Sequence, residues 1–362
     1  MSMSGAFEAR TRAAVVPRPP RPSGVRASVS ANSVCVMLST NCYISGMLLR
    51  LRSDVMPDLI RSGLLLIRSG LLLIRSGLLV VIVLVPAPAF AWGAAAHRYI
   101  MGRAIDLLPA DIKPFFDHYR DELILRVNDP DTWRVAGWDE GPNHFVDFGR
   151  PDLGPYPFAG LPRDYGAAVE KFGIDPLKRI GMLPWREAEE FGNLRRAFDG
   201  FRRGGPYTPS DTVLFAAVAS HYIQDAHMPL HASNNNDGQL TGQTGLHARF
   251  ETGLFERYQS NLTINPAAMA PIANPRDAAF DTLLASHQLV ERLLQADRQA
   301  VMGRETYDDV YFERFFVNAR TLLEQQIGAS ISATAALITG AWEAAGRPAL
   351  RTVIPPAVQR VR

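Results

Sequence analysis

"HYIQDAHMPLH", residues 221–231, places three histidines and an aspartate within eleven positions and carries a proline two residues before its end. The stretch before it, "SDTVLFAAVAS" at 210–220, is apolar with helical spacing, so His221 and Asp225 fall four apart on one helix face. Ser210 is the expected N-cap, with Asp211 in the first turn, where the helix dipole favours an anion. Pro229 ends that helix, so the first pair can grip one ion while His231, beyond the break, turns toward another.

A second pair at the same spacing follows in "GLHARFE", where His247 and Glu251 share a face of the next helix. Either pair alone reads as a surface hydrogen bond. Two of them, joined by a helix-breaking Pro-Leu-His, read as metal ligands, and three N/O donors with room for water suit a catalytic zinc. Upstream, "NDPDTWR" (128–134) supplies Asp129, Asp131 and Arg134, and "NHFVDF" (143–148) supplies His144 and Asp147, which could complete the His221/Asp225 site. Asp129 and Asp131 are alternatives here, two residues apart on either side of Pro130. His118 and His287 lie in long helical stretches without acidic partners and read as ordinary hydrogen-bonding residues. His227 points away from the His221/Asp225 face and has at most a supporting role.

Working outward, the chain from Trp92 onward is poor in alternating patterns and rich in helical spacing, which predicts an all-α fold in a single multi-helix domain with long loops. Helices are expected over 97–108, 111–127, 185–203, 210–226, 245–258, 275–302 and 308–346. Residues 128–184, dense in Pro, Gly and aromatics, are expected to be mostly loop with short helices. The domain is expected to run from 92 to 347, with 348–362 a peripheral tail.

Residues 1–91 read differently. They hold ten arginines against Glu8, Asp54 and Asp58, a balance of +7, which leaves the other 271 residues with 28 basic and 33 acidic side chains. The basic balance of the whole chain therefore belongs to the leader and gives no argument for a nucleic-acid-binding surface on the folded part. Both cysteines, Cys35 and Cys42, also lie in the leader, so the part after it forms no internal disulfide. "IRSGLLL" at 60–66 recurs at 67–73 and, as "IRSGLLV", at 74–80; a glycine in every copy argues against a coiled coil and for a repeat expansion or a misplaced translation start. A positive flank, the apolar "LLVVIVLV" of Leu78 to Val85 and the ending "PAPAFA" make a secretory signal, cut between Ala91 and Trp92. The expected location is secreted or periplasmic.

The order of these residues resembles the zinc-dependent phospholipase C and fungal single-strand-specific nuclease superfamily, over essentially the whole chain after the leader. The resemblance implies a cluster of three zinc ions. Asp131, His144, His221 and Asp225 match the ligands of one. Trp92, through the amino group freed by cleavage and its carbonyl, matches those of a second, with His97 and a shared Asp225. His231, His247 and Glu251 match those of the third. It further implies metal-assisted phosphodiester hydrolysis, with Asp131 positioning or deprotonating the attacking water and Arg134 contacting the phosphate. The substrate expected is a phospholipid or a single-stranded nucleic acid, with no protein partner implied. Glu251, the stretch "HRYIMGRAIDLL" and the short interval from His231 to His247 are phospholipase-like. The five-residue step from Trp92 to His97 and the placing of Arg134 are nuclease-like, and "HFVD" fits either, with Phe145 and Asp147 able to hold a base. Phospholipid headgroup hydrolysis is the first reading and nucleic-acid cleavage the alternative. A non-catalytic zinc-binding protein is the reading from a different class.

Overall fold

Proline lacks an N–H that the first turn of a helix does not use, and its fixed φ suits that turn, so X-Pro steps open much of this chain's structure. The computed structural model describes residues 92–205 and 207–353. The repeats, both cysteines and the apolar stretch before Trp92 lie outside the described residues, as does the tail beyond 353. Among the described residues there is no β-strand, and the fold is all-α.

The first helix, α1 (Ala94–Asp106), is followed by three short ones, α2 (Lys113–His118), α3 (Arg120–Arg126) and α4 (Asp129–Val135). A loop region then holds α5 (Tyr165–Phe172) and α6 (Ile174–Ile180), before the long pair α7 (Leu183–Arg203) and α8 (Thr208–Asp225). A composite helix, α9 (residues 246–258), joins α-helical Leu246–Ala248, a π-helical turn Arg249–Leu254 and α-helical Phe255–Tyr258. The chain closes with α10 (Pro275–His287), α11 (Val290–Val301) and α12 (Asp309–Ala344). Prolines sit in the first turns of α2, α4, α7, α8 and α10. Side chains cap three starts: Asp164 accepts from Ala167 N, Asn274 from Asp277 N and Asp308 from Tyr311 N.

Helix α12 is the spine, packed by α1, α7, α8 and α11. Residues 330–342 are buried all round; Ser332, Thr334 and Thr339 fit there by bonding back to carbonyls one turn earlier. An extended segment crosses α12, with Ile272 N donating to Ala336 O at 3.0 Å. A Cβ on Gly340 would lie 2.0 Å from Ile272 O, so only glycine allows this approach. A second, smaller core gathers Val146, Phe148, Leu177, Leu183 and Phe280. Helix α8 feeds both, giving Ala216 and Ile223 to one and Val218 and Tyr222 to the other. Its C-terminal end is thereby fixed where the 128–148 segment closes over it.

Several sequence expectations need correction. The helix expected over 111–127 breaks at Tyr119, and that over 275–302 breaks at Gln288 and Leu289, in both cases without a proline or glycine to mark it. Ser210 is not the N-cap of α8, which starts at Thr208 because Pro209 occupies its first turn; Asp211 does lie in that turn. The expectation of short helices within 128–184 holds, Asp129–Val135 being one of them. The tail after Pro348 is not peripheral throughout, since Trp342 Nε1 donates to Pro348 O at 2.9 Å and Tyr119 Oη to Thr352 O at 2.7 Å. No described helix is long and apolar enough to cross a membrane.

Candidate metal centre

One turn of α8 separates His221 from Asp225, both with no solvent exposure. The chain then turns at Pro229 into a single 3-10 turn, Pro229–Ala232, which brings His231 back to the same carboxylate. Val146 N donates to His231 O at 2.8 Å and Asn234 N to Phe148 O at 2.8 Å, so the segment after His144 is zipped to the one after His231. Helix α1 contributes His97, α4 contributes Asp131 from its first turn, and a 3-10 turn, Gly141–His144, contributes His144.

Asp225 is the hub. Its Oδ1 lies 3.3 Å from His97 Nε2 and 3.6 Å from His231 Nδ1; its Oδ2 lies 2.9 Å from His144 Nδ1 and 3.2 Å from His221 Nε2. Asp131 Oδ1 is 4.0 Å from His144 Nδ1. Ligand atoms of His97, Asp131 and His221 lie within 4.8 Å of one another, as do those of His144, His221 and Asp225, and those of His231, His247 and Glu251. In the last group His247 Nε2 is 3.0 Å from Glu251 Oε2 and 3.1 Å from His231 Nε2. His231 therefore faces Asp225 with one ring nitrogen and His247 with the other.

The opposite ring nitrogens explain this aim. A backbone carbonyl can only accept, so His221 Nδ1 donates to Val127 O (2.8 Å) and His247 Nδ1 to Asn236 O (2.7 Å), which turns both Nε2 atoms toward the centre. His97 is held likewise, its Nδ1 lying 2.6 Å from Gln224 Oε1. What remains is a set of buried polar atoms with no hydrogen-bond partner: His97 Nε2, Asp131 Oδ1, His144 Nε2, Asp225 Oδ1, His231 Nδ1 and both oxygens of Glu251. Buried groups are normally paired, and imidazoles and carboxylates are the donor types that a metal cation takes. The buried His, Asp and Glu groups can hold metal ions.

Burial disfavours charge on His221, but Asp225 and Asp131 outweigh it and lift the ring to about 9. Burial also opposes charge on Asp225, yet His221, His231 and the contact with His144 hold it well below the usual carboxylate range. Burial pushes His231 far down and Glu251 up to about 7, the latter against the pull of His247. His97 is lowered by burial and by the neighbouring His221 ring, stacked at 4.2 Å.

The remaining expected residues fall into place around this centre. Trp92 is fully buried and donates from Nε1 to Gln224 O at 2.8 Å, which ties it to the residue that also holds His97. Asp129 pairs with Arg126 at 3.2 Å, and Asp131 is the aspartate with an oxygen within 4.8 Å of ring nitrogens of both His97 and His221. Arg134 Nη2 is 3.8 Å from Asp131 Oδ1, with 28% of its side chain exposed. Asp147 is half-buried, with Asn236 Nδ2 3.5 Å away, and burial lifts it to about 6. His227 is buried and donates to Ile223 O, His287 donates to Ala232 O, and His118 is exposed. Gln224, which orients His97 and Trp92 together, had no signal in the sequence beyond lying next to Asp225.

Among known protein families no family profile matches the chain, and no curated protein matches it significantly.

Proposed function

We propose that the chain is a zinc-dependent hydrolase of phosphodiester bonds, acting on phospholipid headgroups. The observation that carries this reading is the set of buried, unpartnered donors around Asp225, with the Arg134 guanidinium beside Asp131. Three zinc ions would be held by Asp131, His144, His221 and Asp225; by His97, Asp225 and the amino end of Trp92; and by His231, His247 and Glu251. Bound zinc would supply charge neutralisation at the phosphate and a lowered pKa for water.

The chain's own residues do the rest. Asp131 Oδ1, buried and unpartnered, is the atom that positions the attacking water and takes its proton. Arg134 binds a phosphate oxygen through its N–H fork. The water oxygen bonds to phosphorus, the P–O bond to the alcohol breaks, and the proton passes to the leaving oxygen. Export with cleavage after Ala91 belongs to the same reading, because it frees the amino nitrogen of Trp92.

Glu251 and the sequence of α1 support the lipid substrate. A second reading, cleavage of single-stranded nucleic acid, is favoured by the placing of Arg134 and by half-buried Asp147 in "HFVD". The test is to assay the purified chain on phosphatidylcholine and on single-stranded DNA, with and without chelator and with zinc restored. Phosphorylcholine release that chelator abolishes and zinc restores is the expected result. Activity on DNA alone moves the assignment to the second reading, zinc binding without either activity to a non-catalytic role, and hydrolysis surviving full zinc removal overturns the mechanism.

A further inference from the structure

We propose that Arg249 and Asp297, which lie behind the metal centre, are positioning residues for the His231/His247/Glu251 group; the inference rests on the metal-binding reading of that group. Arg249 sits midway between His247 and Glu251 in α9 and therefore points to the opposite side of the turn. That turn is π-helical over Arg249–Leu254, an uncommon winding that needs support from its surroundings.

The support is a closed, buried network. Arg249 Nε donates to Tyr311 Oη (3.0 Å), Nη1 to Thr244 O (2.8 Å) and Nη2 to Gln243 O (3.1 Å), while Nη2 lies 3.3 Å from Asp297 Oδ1. Asp297, 1% exposed, also accepts from Tyr311 Oη and, at 2.7 Å, from Gln243 Nε2. The Tyr307 ring covers the guanidinium at 3.8 Å. One ion pair thus joins α11, α12 and the two ends of the 243–251 turn.

A buried ion pair is a poor device for stability alone, because desolvating both charges offsets much of their attraction. Its geometric effect is specific here. Neither carboxylate oxygen of Glu251 has a hydrogen-bond partner, so nothing on the metal side fixes that side chain apart from facing His247. His247 is held by its backbone N–H, which donates to Asp237 Oδ1 (3.3 Å), and by its ring, whose Nδ1 donates to Asn236 O (2.7 Å), in the loop whose far end Arg249 grips through Gln243 and Thr244. The placing of both side chains depends on the backbone that Arg249 and Asp297 clamp.

The test measures zinc retained per chain against buffered free zinc, for the wild type, Asp297→Asn, His231→Ala and the double variant, with chelated melting curves as the folding control. Loss of an outer-shell partner weakens metal binding by about 10- to 100-fold. Asp297→Asn is expected to lose that much affinity at one site while the others keep theirs, and the double variant to lose no more zinc than His231→Ala. Should Asp297→Asn fail to fold, Tyr311→Phe, which removes one bond to Asp297, is expected to weaken the same site alone. Unchanged affinity in the variant that folds, or an equal loss at every site, overturns the inference. A wild type that retains no zinc overturns instead the metal reading on which it rests.

Discussion

Replacing Asp225 by asparagine keeps the shape of the side chain and removes its charge. Four histidines lie 2.9 to 3.6 Å from that carboxylate, so two effects separate. In chelator, the variant loses the buried pair with His221, and leaving one buried partner uncompensated costs about 3–5 kcal/mol. For a domain of this size 1 kcal/mol shifts Tm by about 2–4 °C, so the chelated variant should melt roughly 6–20 °C below the chelated wild type. In zinc at about a thousandfold above Kd, a bound site adds about 4 kcal/mol to the wild type. The variant lacks the ligand that two of the three groups share and gains little from either, so the gap should widen by about 4 kcal/mol for each of the two groups. Calorimetric melts of both proteins with chelator and with buffered zinc give all four values. A gap that is the same in zinc and in chelator would mean that Asp225 is an ion-pair partner alone, and the shared-ligand argument would be wrong.

Three further outcomes follow from other parts of the molecule. Arg134→Met should lower kcat/KM on bis-p-nitrophenyl phosphate by about 10- to 100-fold, from the loss of one charged contact to the phosphate, with zinc content unchanged; equal kcat/KM would remove Arg134 from the site. Burial lifts Asp147 from 3.8 to about 6, so the folded state holds this proton more tightly than the unfolded chain. Stability from that proton is present below the unfolded value and lost as pH rises through about 6. Asp147→Asn should therefore gain on the order of 2 kcal/mol at pH 7 and nothing near pH 4, read from urea melts, and a variant less stable than wild type at pH 7 would contradict this. Gly340→Ala drives a Cβ to 2.0 Å from Ile272 O and should cost at least about 1–3 kcal/mol, with an unchanged Tm refuting the close approach.

The part of the centre that was legible in the sequence is the part carried by local geometry. His221 and Asp225 sit one helical turn apart, Pro229 breaks the chain before His231, and His247 and Glu251 repeat the spacing, so period and punctuation were enough. His97, Asp131 and His144 arrive from separate elements, and no spacing rule brings them to Asp225; Asp131 and His144 stand out only as an acidic loop with a nearby histidine, and His97 rests on the resemblance. Gln224 and the Arg249–Asp297 clamp were invisible because each acts across 48 or more residues, through bonds that leave no periodic trace. The fold class followed from helical spacing, but the breaks at Tyr119 and at Gln288 come from tertiary packing and carry no proline or glycine. Ser210 suits an N-cap by residue type, but Pro209 occupies the first turn and sets the start of α8 at Thr208.

The central claim is that the bare imidazoles and carboxylates around Asp225 and Glu251 exist to hold zinc. Its most direct test is elemental analysis of the protein beginning at Trp92, desalted at pH 7, beside a form that retains Ala91. The account predicts about three zinc ions per chain in the first, fewer in the second and none in either after chelation. Less than one metal ion per chain after exposure to zinc, or equal content in the two forms, would contradict it.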